Sequence, residues 1–109
     1  MPPAVEILQG TVDVLILRAL AREPMHGYAI SRWIRERSNE VLAVEGAALY
    51  QGLHRLERKR WVASSWGASE NNRRAKFYEL TAEGRRQLRS ETTAWRTYSS
   101  AVTRVLEPA

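Results

Sequence analysis

Two short stretches hold the side chains best suited to chemistry. SENNRRAKFY, residues 69–78, brings Asn71, Asn72, Arg73, Arg74 and Lys76 together, a set of amides and cations that bonds and neutralises phosphate. GAALYQGLHRLERKR, residues 46–60, repeats at helical spacing. At about 100° per residue, Ala47, Gln51, His54, Arg55 and Arg58 gather on one face, and Leu49, Leu53 and Leu56 on the other. Alanine admits a close backbone approach, an amide can bond an adenine edge, and arginine grips guanine or phosphate. That set suits a helix entering a DNA major groove, although a solvated surface helix carries similar residues. The helix alone leaves both readings open.

Bond-making chemistry finds no comparable set. His26 follows a turn and His54 shares a basic helix face. No serine or carboxylate is spaced to form a nucleophile and base pair, and no glycine loop has phosphate-cradling spacing. Glu45 and Glu57 read as ordinary surface residues. With no cysteine and only two separated histidines, neither a disulfide, a metal centre nor a cofactor is expected. An enzyme is therefore not the expectation.

Charge distribution favours a polyanion partner. Net charge is +5, and residues 55–89 carry ten Lys or Arg against four Asp or Glu, whereas the rest carries seven against eight. A basic face of this kind concentrates phosphate near itself. The chain has 109 residues, 44% hydrophobic and 27% charged, which describes one compact globular domain. The opening MPPAVEILQG lacks an export-signal pattern, and the apolar run Val12–Leu20 is too short to span a bilayer. A cytoplasmic protein without membrane partners is expected.

Helices must position these groups. Leu8, Val12, Leu15, Ile16 and Ala19 predict a first helix over about Glu6–Ala21, ended before Pro24. A second covers about Gly27–Arg37, with Tyr28, Ile30, Trp33 and Ile34 as its apolar members. The third is the polar-faced segment above. WVASSW and AKFYEL alternate as strands, Val62, Ser64 and Trp66 on one face and Lys76, Tyr78 and Leu80 on the partner's, around the turn formers of GASENNRR. A polar-faced third helix followed by a basic-tipped hairpin is the order of a winged helix-turn-helix, in which the helix reads a groove and the wing reaches flanking backbone or minor groove.

LTAEGRRQL opens a final helix with Thr81 as N-cap, and Gly84 inside its first turn permits close packing. Leu88, Trp95 and Val102 recur every seven residues, with Tyr98 and Val105 three beyond the last two. This apolar seam calls for a second subunit, since so small a domain has little core to cover it, with folding back onto the first helix of the same chain as the alternative. The fold class expected is mainly α with a small β-hairpin: a winged-helix DNA-binding domain over residues 1–80 and a C-terminal dimerisation helix over 81–109.

The blocks LQGTVDVLILRAL, HGYAI, ALYQGLHRLERKRWV and WGASENNRRAKFYELTAEGRRQL, with the tryptophan-bearing helix after them, resemble PadR-family transcriptional regulators over about residues 6–106. The resemblance implies a dimeric DNA-binding repressor of the branch with a single C-terminal helix. Its partner is double-stranded DNA carrying a pseudo-palindromic operator, with half-sites about 34 Å apart. Gln51, His54 and Arg55 then meet base edges or phosphates, Tyr50 bonds the backbone from the helix flank, and Asn71 to Lys76 hold phosphate or probe the minor groove. The other class open to this fold is a protein-interaction or RNA-binding module. Two positions depart from the family pattern: Gln51 stands where proline is common, and Arg60 where glycine usually closes the helix. Some relatives sense aromatic compounds, and Trp95 lies where a slot for a flat effector would form between two subunits. Filling the dimer core is the alternative role for its indole.

Overall fold

The computed structural model describes residues 9–108. Its elements are α1 (Gln9–Ala19), β1 (Met25–His26), α2 (Gly27–Arg37), α3 (Gly46–Arg58), β2 (Val62–Ala68), β3 (Arg74–Leu80) and α4 (Ala82–Leu106). The start of the first predicted helix, with Leu8, lies outside the described residues. Val12, Ile16, Leu17, Ala19 and Leu20 of α1 and its exit meet Ile30 and Ile34 of α2 and Leu49, Leu53 and Leu56 of α3 in one core, capped by Val62, Tyr78 and Leu80 of the hairpin. Among the described residues no polar or charged residue is buried in it.

The helix bounds follow from local chemistry. His26 Nδ1 accepts the backbone N–H of Ala29 and caps α2. At the other end of α3, Trp61 N–H donates to the Leu56 carbonyl and Arg60 N–H to that of Glu57, the paired bonds of a Schellman cap. Arg60 takes the left-handed conformation this cap demands, at φ 64°. The backbone geometry is therefore kept although glycine is absent.

Tyr28 departs from expectation: it is 68% exposed. At helical spacing it lies far around α2 from Ile30 and Ile34 and close to Arg32, whose guanidinium sits 5.7 Å from its ring centroid. The sheet also has a third strand, in the order β1-β3-β2. Met25 pairs with Tyr78 and His26 with Phe77. β2 and β3 are antiparallel with Val62 opposite Leu80, Ser64 opposite Tyr78 and Trp66 opposite Lys76, which gives the faces the alternation predicts.

α4 is a 25-residue helix, about 37 Å long at 1.5 Å per residue. Thr81 Oγ1 accepts the Gly84 N–H at 3.0 Å and donates to the Arg60 carbonyl at 2.7 Å. A Cβ on Gly84 would lie 2.0 Å from the Trp61 carbonyl oxygen, so only glycine lets the first turn of α4 rest against the turn that follows α3. Leu88 packs against the core of its own chain rather than extending the exposed seam. Beyond it Trp95, Tyr98, Val102 and Val105 are exposed, joined by Leu106. No described helix is long and apolar enough to cross a membrane.

Candidate nucleic-acid interface

α3 is fixed on its inner side by its crossing with α1. Gly52 is buried at the crossing, and a Cβ there would come within 2.8 Å of Ile16 Cδ1. The loss of helix propensity at this glycine is offset by a closer approach of the two helices. Beside it Arg55 forks onto Asp13 of α1, Nη2 to Oδ1 at 2.7 Å and Nε to Oδ2 at 3.3 Å. Only 19% and 15% of the two side chains remain exposed. Arg55 therefore faces α1 more than solvent, unlike its neighbours in the predicted groove-reading set.

Ala47, Gln51, His54 and Arg58 are exposed, as is Tyr50 at the flank. Gln51, His54, Arg55 and Arg58 line a shallow depression of about 310 Å³. None of these four lining residues is acidic, so an electronegative base edge or phosphate meets donors and cations there.

The wing is held at a set distance from this face. Glu57 of α3 accepts the Ser64 hydroxyl at 2.8 Å and pairs with Lys76 Nζ at 3.7 Å, fastening both strands to the helix. Glu57 is thus a tie between elements and not the ordinary surface residue its sequence context indicates. Burial first, then the Glu57 carboxylate and then Tyr50, push the Tyr78 phenol beneath this tie above its ordinary value, so it stays neutral. Glu45 stays the surface residue expected, in an exposed pair with Arg35 at 3.1 Å at the entry to α3.

The wing tip is a turn closed by its own backbone: Ser69 N–H donates to the Arg73 carbonyl, and Asn72 N–H to that of Ser69, both at 2.8 Å. Asn72 adopts φ 56°, a conformation asparagine tolerates better than most residues. Asn71, Asn72, Arg73 and Arg74 are exposed, whereas Lys76 is half-buried on Glu57. Four of the five predicted wing residues thus stand free on the solvent side. Sequence spacing assigns no functional role to Asp13, Glu57 or Trp66. Asp13 and Glu57 are ion-pair partners that spacing cannot reveal, but an aromatic residue between polar neighbours in a basic hairpin is a legible signal.

Against known proteins, the description "Transcriptional regulator PadR-like family" fits residues 16–90. The "Uncharacterized protein X" of Lysinibacillus sphaericus is 30% identical over 90 residues, 83% of each chain. Among solved structures, a PadR family transcription regulator from Clostridium difficile is 30% identical with TM-score 0.74, covering 88% of this chain and 98% of that one. A transcriptional regulator from Clostridium thermocellum is 27% identical with TM-score 0.81, covering 91% and 96%. A PadR-like regulator from Bacillus cereus, at 24% identity and TM-score 0.77, covers 94% and 97% and supports the fold. With its winged helix, basic wing and long final helix, the chain belongs to the PadR-like family of transcriptional regulators, which are DNA-binding proteins and not enzymes.

Proposed function

We propose that the protein is a repressor that works as a homodimer by occupying a pseudo-palindromic operator. The observation that carries the reading is the combination of a depression on α3 whose lining residues include no acid with a basic wing tied to the same helix through Glu57. In this reading Gln51 and His54 meet base edges, Arg58 and Tyr50 hold phosphate beside them, and Ala47 lets the helix settle into the groove. Arg55 supports the helix from behind through Asp13 and reaches DNA only by leaving that carboxylate. Asn71, Asn72, Arg73 and Arg74 grip the flanking backbone or minor groove, with Lys76 at the wing base.

Dimerisation through α4 is supported by the exposure of Trp95, Tyr98, Val102, Val105 and Leu106. Their burial against a second copy removes apolar surface from water at both helices. Repression follows from occupancy, because a dimer lying over two successive major grooves blocks access to that DNA. A gel shift of the full chain on its own upstream DNA, with a scrambled duplex as control, tests the reading. Retardation of the first duplex alone, at moderate salt, is expected; equal retardation of both would contradict operator recognition.

Release by a flat aromatic compound has its own support. Trp95 and Tyr98 have ring centroids 6.0 Å apart and border a cavity of about 300 Å³ with Gly10, Thr11, Val14 and Glu91, between α1 and α4. An indole there would stack a planar ligand, and the ligand would release DNA only by its differential affinity for the free and bound forms. Quenching of tryptophan emission that disappears in Trp95→Phe, together with loss of the gel shift, is the expected signature.

A further inference from the structure

Trp66 is 61% exposed near the end of β2, an unusual setting for the most apolar surface of a basic hairpin. It lies directly opposite Lys76, and Arg74 is opposite Ala68, which makes Trp66 and Arg74 diagonal neighbours on one face of the hairpin. The guanidinium carbon of Arg74 stands 4.4 Å from the ring centroid, within stacking range.

Two neighbouring cations are held by carboxylates. Arg55 is held by Asp13 and Lys76 by Glu57. Among the described residues Arg74 has no carboxylate in ion-pair range, and its side chain makes no hydrogen bond there. The indole face is its partner. The pair borders a cleft of about 310 Å³ between the wing and the first turns of α2 and α3, with Tyr28, Tyr50 and Lys76 around it. None of the residues lining the cleft is acidic, so a phosphate backbone can pass close to it.

A guanidinium on a free stem loses rotamer freedom on entering a groove; one already held flat on an indole loses less. A narrow minor groove, as in A-tracts, carries an enhanced negative potential that attracts arginine. We infer that Trp66 is a positioning residue that holds the Arg74 guanidinium for insertion into a narrow, A·T-rich minor groove beside the major-groove site. The wing thereby reads groove width. This rests on the reading of the wing as a DNA contact and adds to it a preference at flanking positions that no side chain reads by base edge.

The test uses the full chain and two fluorescently labelled duplexes of equal length, one built of A-tracts and one of alternating G·C, in anisotropy titrations at one salt concentration. Wild type is expected to favour the A-tract duplex. Trp66→Ala should reduce that preference about two- to fivefold, the equilibrium equivalent of an exposed cation–π contact, with little change on G·C. Trp66→Phe should keep most of the preference, and Arg74→Lys, which cannot stack as a plane, should lose it as Trp66→Ala does. Equal affinity of wild type for the two duplexes, or an unchanged ratio in Trp66→Ala, overturns the inference while leaving DNA binding in place. Failure of wild type to bind either duplex overturns the DNA reading as well.

Discussion

Asp13→Asn keeps the shape of the side chain but removes the charge that holds Arg55 across the α1–α3 crossing. The partners are 42 residues apart in sequence, and Arg55 makes two hydrogen bonds to the carboxylate. Exposed ion pairs contribute about 0.2–1 kcal/mol, whereas breaking a buried one costs about 3–5 kcal/mol. With 19% and 15% of the side chains still exposed, the expected loss lies between these, at about 1.5–2.5 kcal/mol. For a chain of this size about 1 kcal/mol moves Tm by about 4 °C, so a fall of about 6–10 °C is expected. Thermal unfolding followed by circular dichroism at one fixed protein concentration measures it, since the Tm of the proposed dimer would depend on concentration. The paired variant Asp13→Asn with Arg55→Gln should lose less than the sum of the two single changes. In DNA titrations, a released Arg55 turns toward the face that carries Gln51 and His54, where one more phosphate contact steepens the log K against log salt slope by about 0.9 per subunit. Strictly additive losses in the double variant, or a Tm unmoved by Asp13→Asn, would refute the pairing as a support of the recognition helix.

Arg60→Gly relieves a left-handed residue within an otherwise complete cap, and chemical denaturation should register a gain of about 0.5–1 kcal/mol; a loss would mean that the arginine side chain contributes more than its backbone strain costs. Replacing Arg73 and Arg74 together by alanine should weaken binding to all duplexes and lower the salt slope by roughly 1 to 2 per subunit, and an unchanged slope would remove the wing from the phosphate backbone. Gln51→Ala should relax preference at a single base position with the slope nearly intact, as read by competition with single-base operator variants; uniform weakening across all of them contradicts base reading. Ending the chain at Ser90 removes Trp95, Tyr98, Val102 and Val105 and should give a monomer by sedimentation velocity with reduced operator affinity, whereas a dimeric fragment would move the interface elsewhere.

The features that sequence made legible are those with a period. Leu49, Leu53 and Leu56 mark the inner face of α3, Val62 and Leu80 fix the hairpin faces, and Thr81 marks the start of α4 through a bond that needs only three residues of chain. What escaped has no period. β1 is two residues long, too short for alternation to register, and exists because β3 offers it an edge. Tyr28 counts as apolar by type, yet its angular position on α2 sends it to solvent. The partners of Asp13 and Glu57 depend on how helices cross and strands dock, which one local stretch does not encode. Arg60 was legible as an anomaly, but its outcome was not: the bonds from Trp61 and Arg60 to α3 outweigh the cost of a left-handed arginine.

The contact at Gly84 bears on how such a protein could come to recognise different DNA. Where α4 meets the turn between α3 and β2, the spacing is set by main chain against main chain, Gly84 on the Trp61 carbonyl. From that fixed point α4 runs about 37 Å, a lever whose far part joins the second subunit in the proposed dimer. A tilt of about 10° at its root displaces the far end by about 6 Å over that length, which is comparable to the rise of two base pairs. In the proposed dimer, a side chain at this position would shift the root of α4 and with it the distance between the two subunits' α3 helices. In the proposed dimer, half-site spacing would answer to the root of α4 and base preference to the outer face of α3.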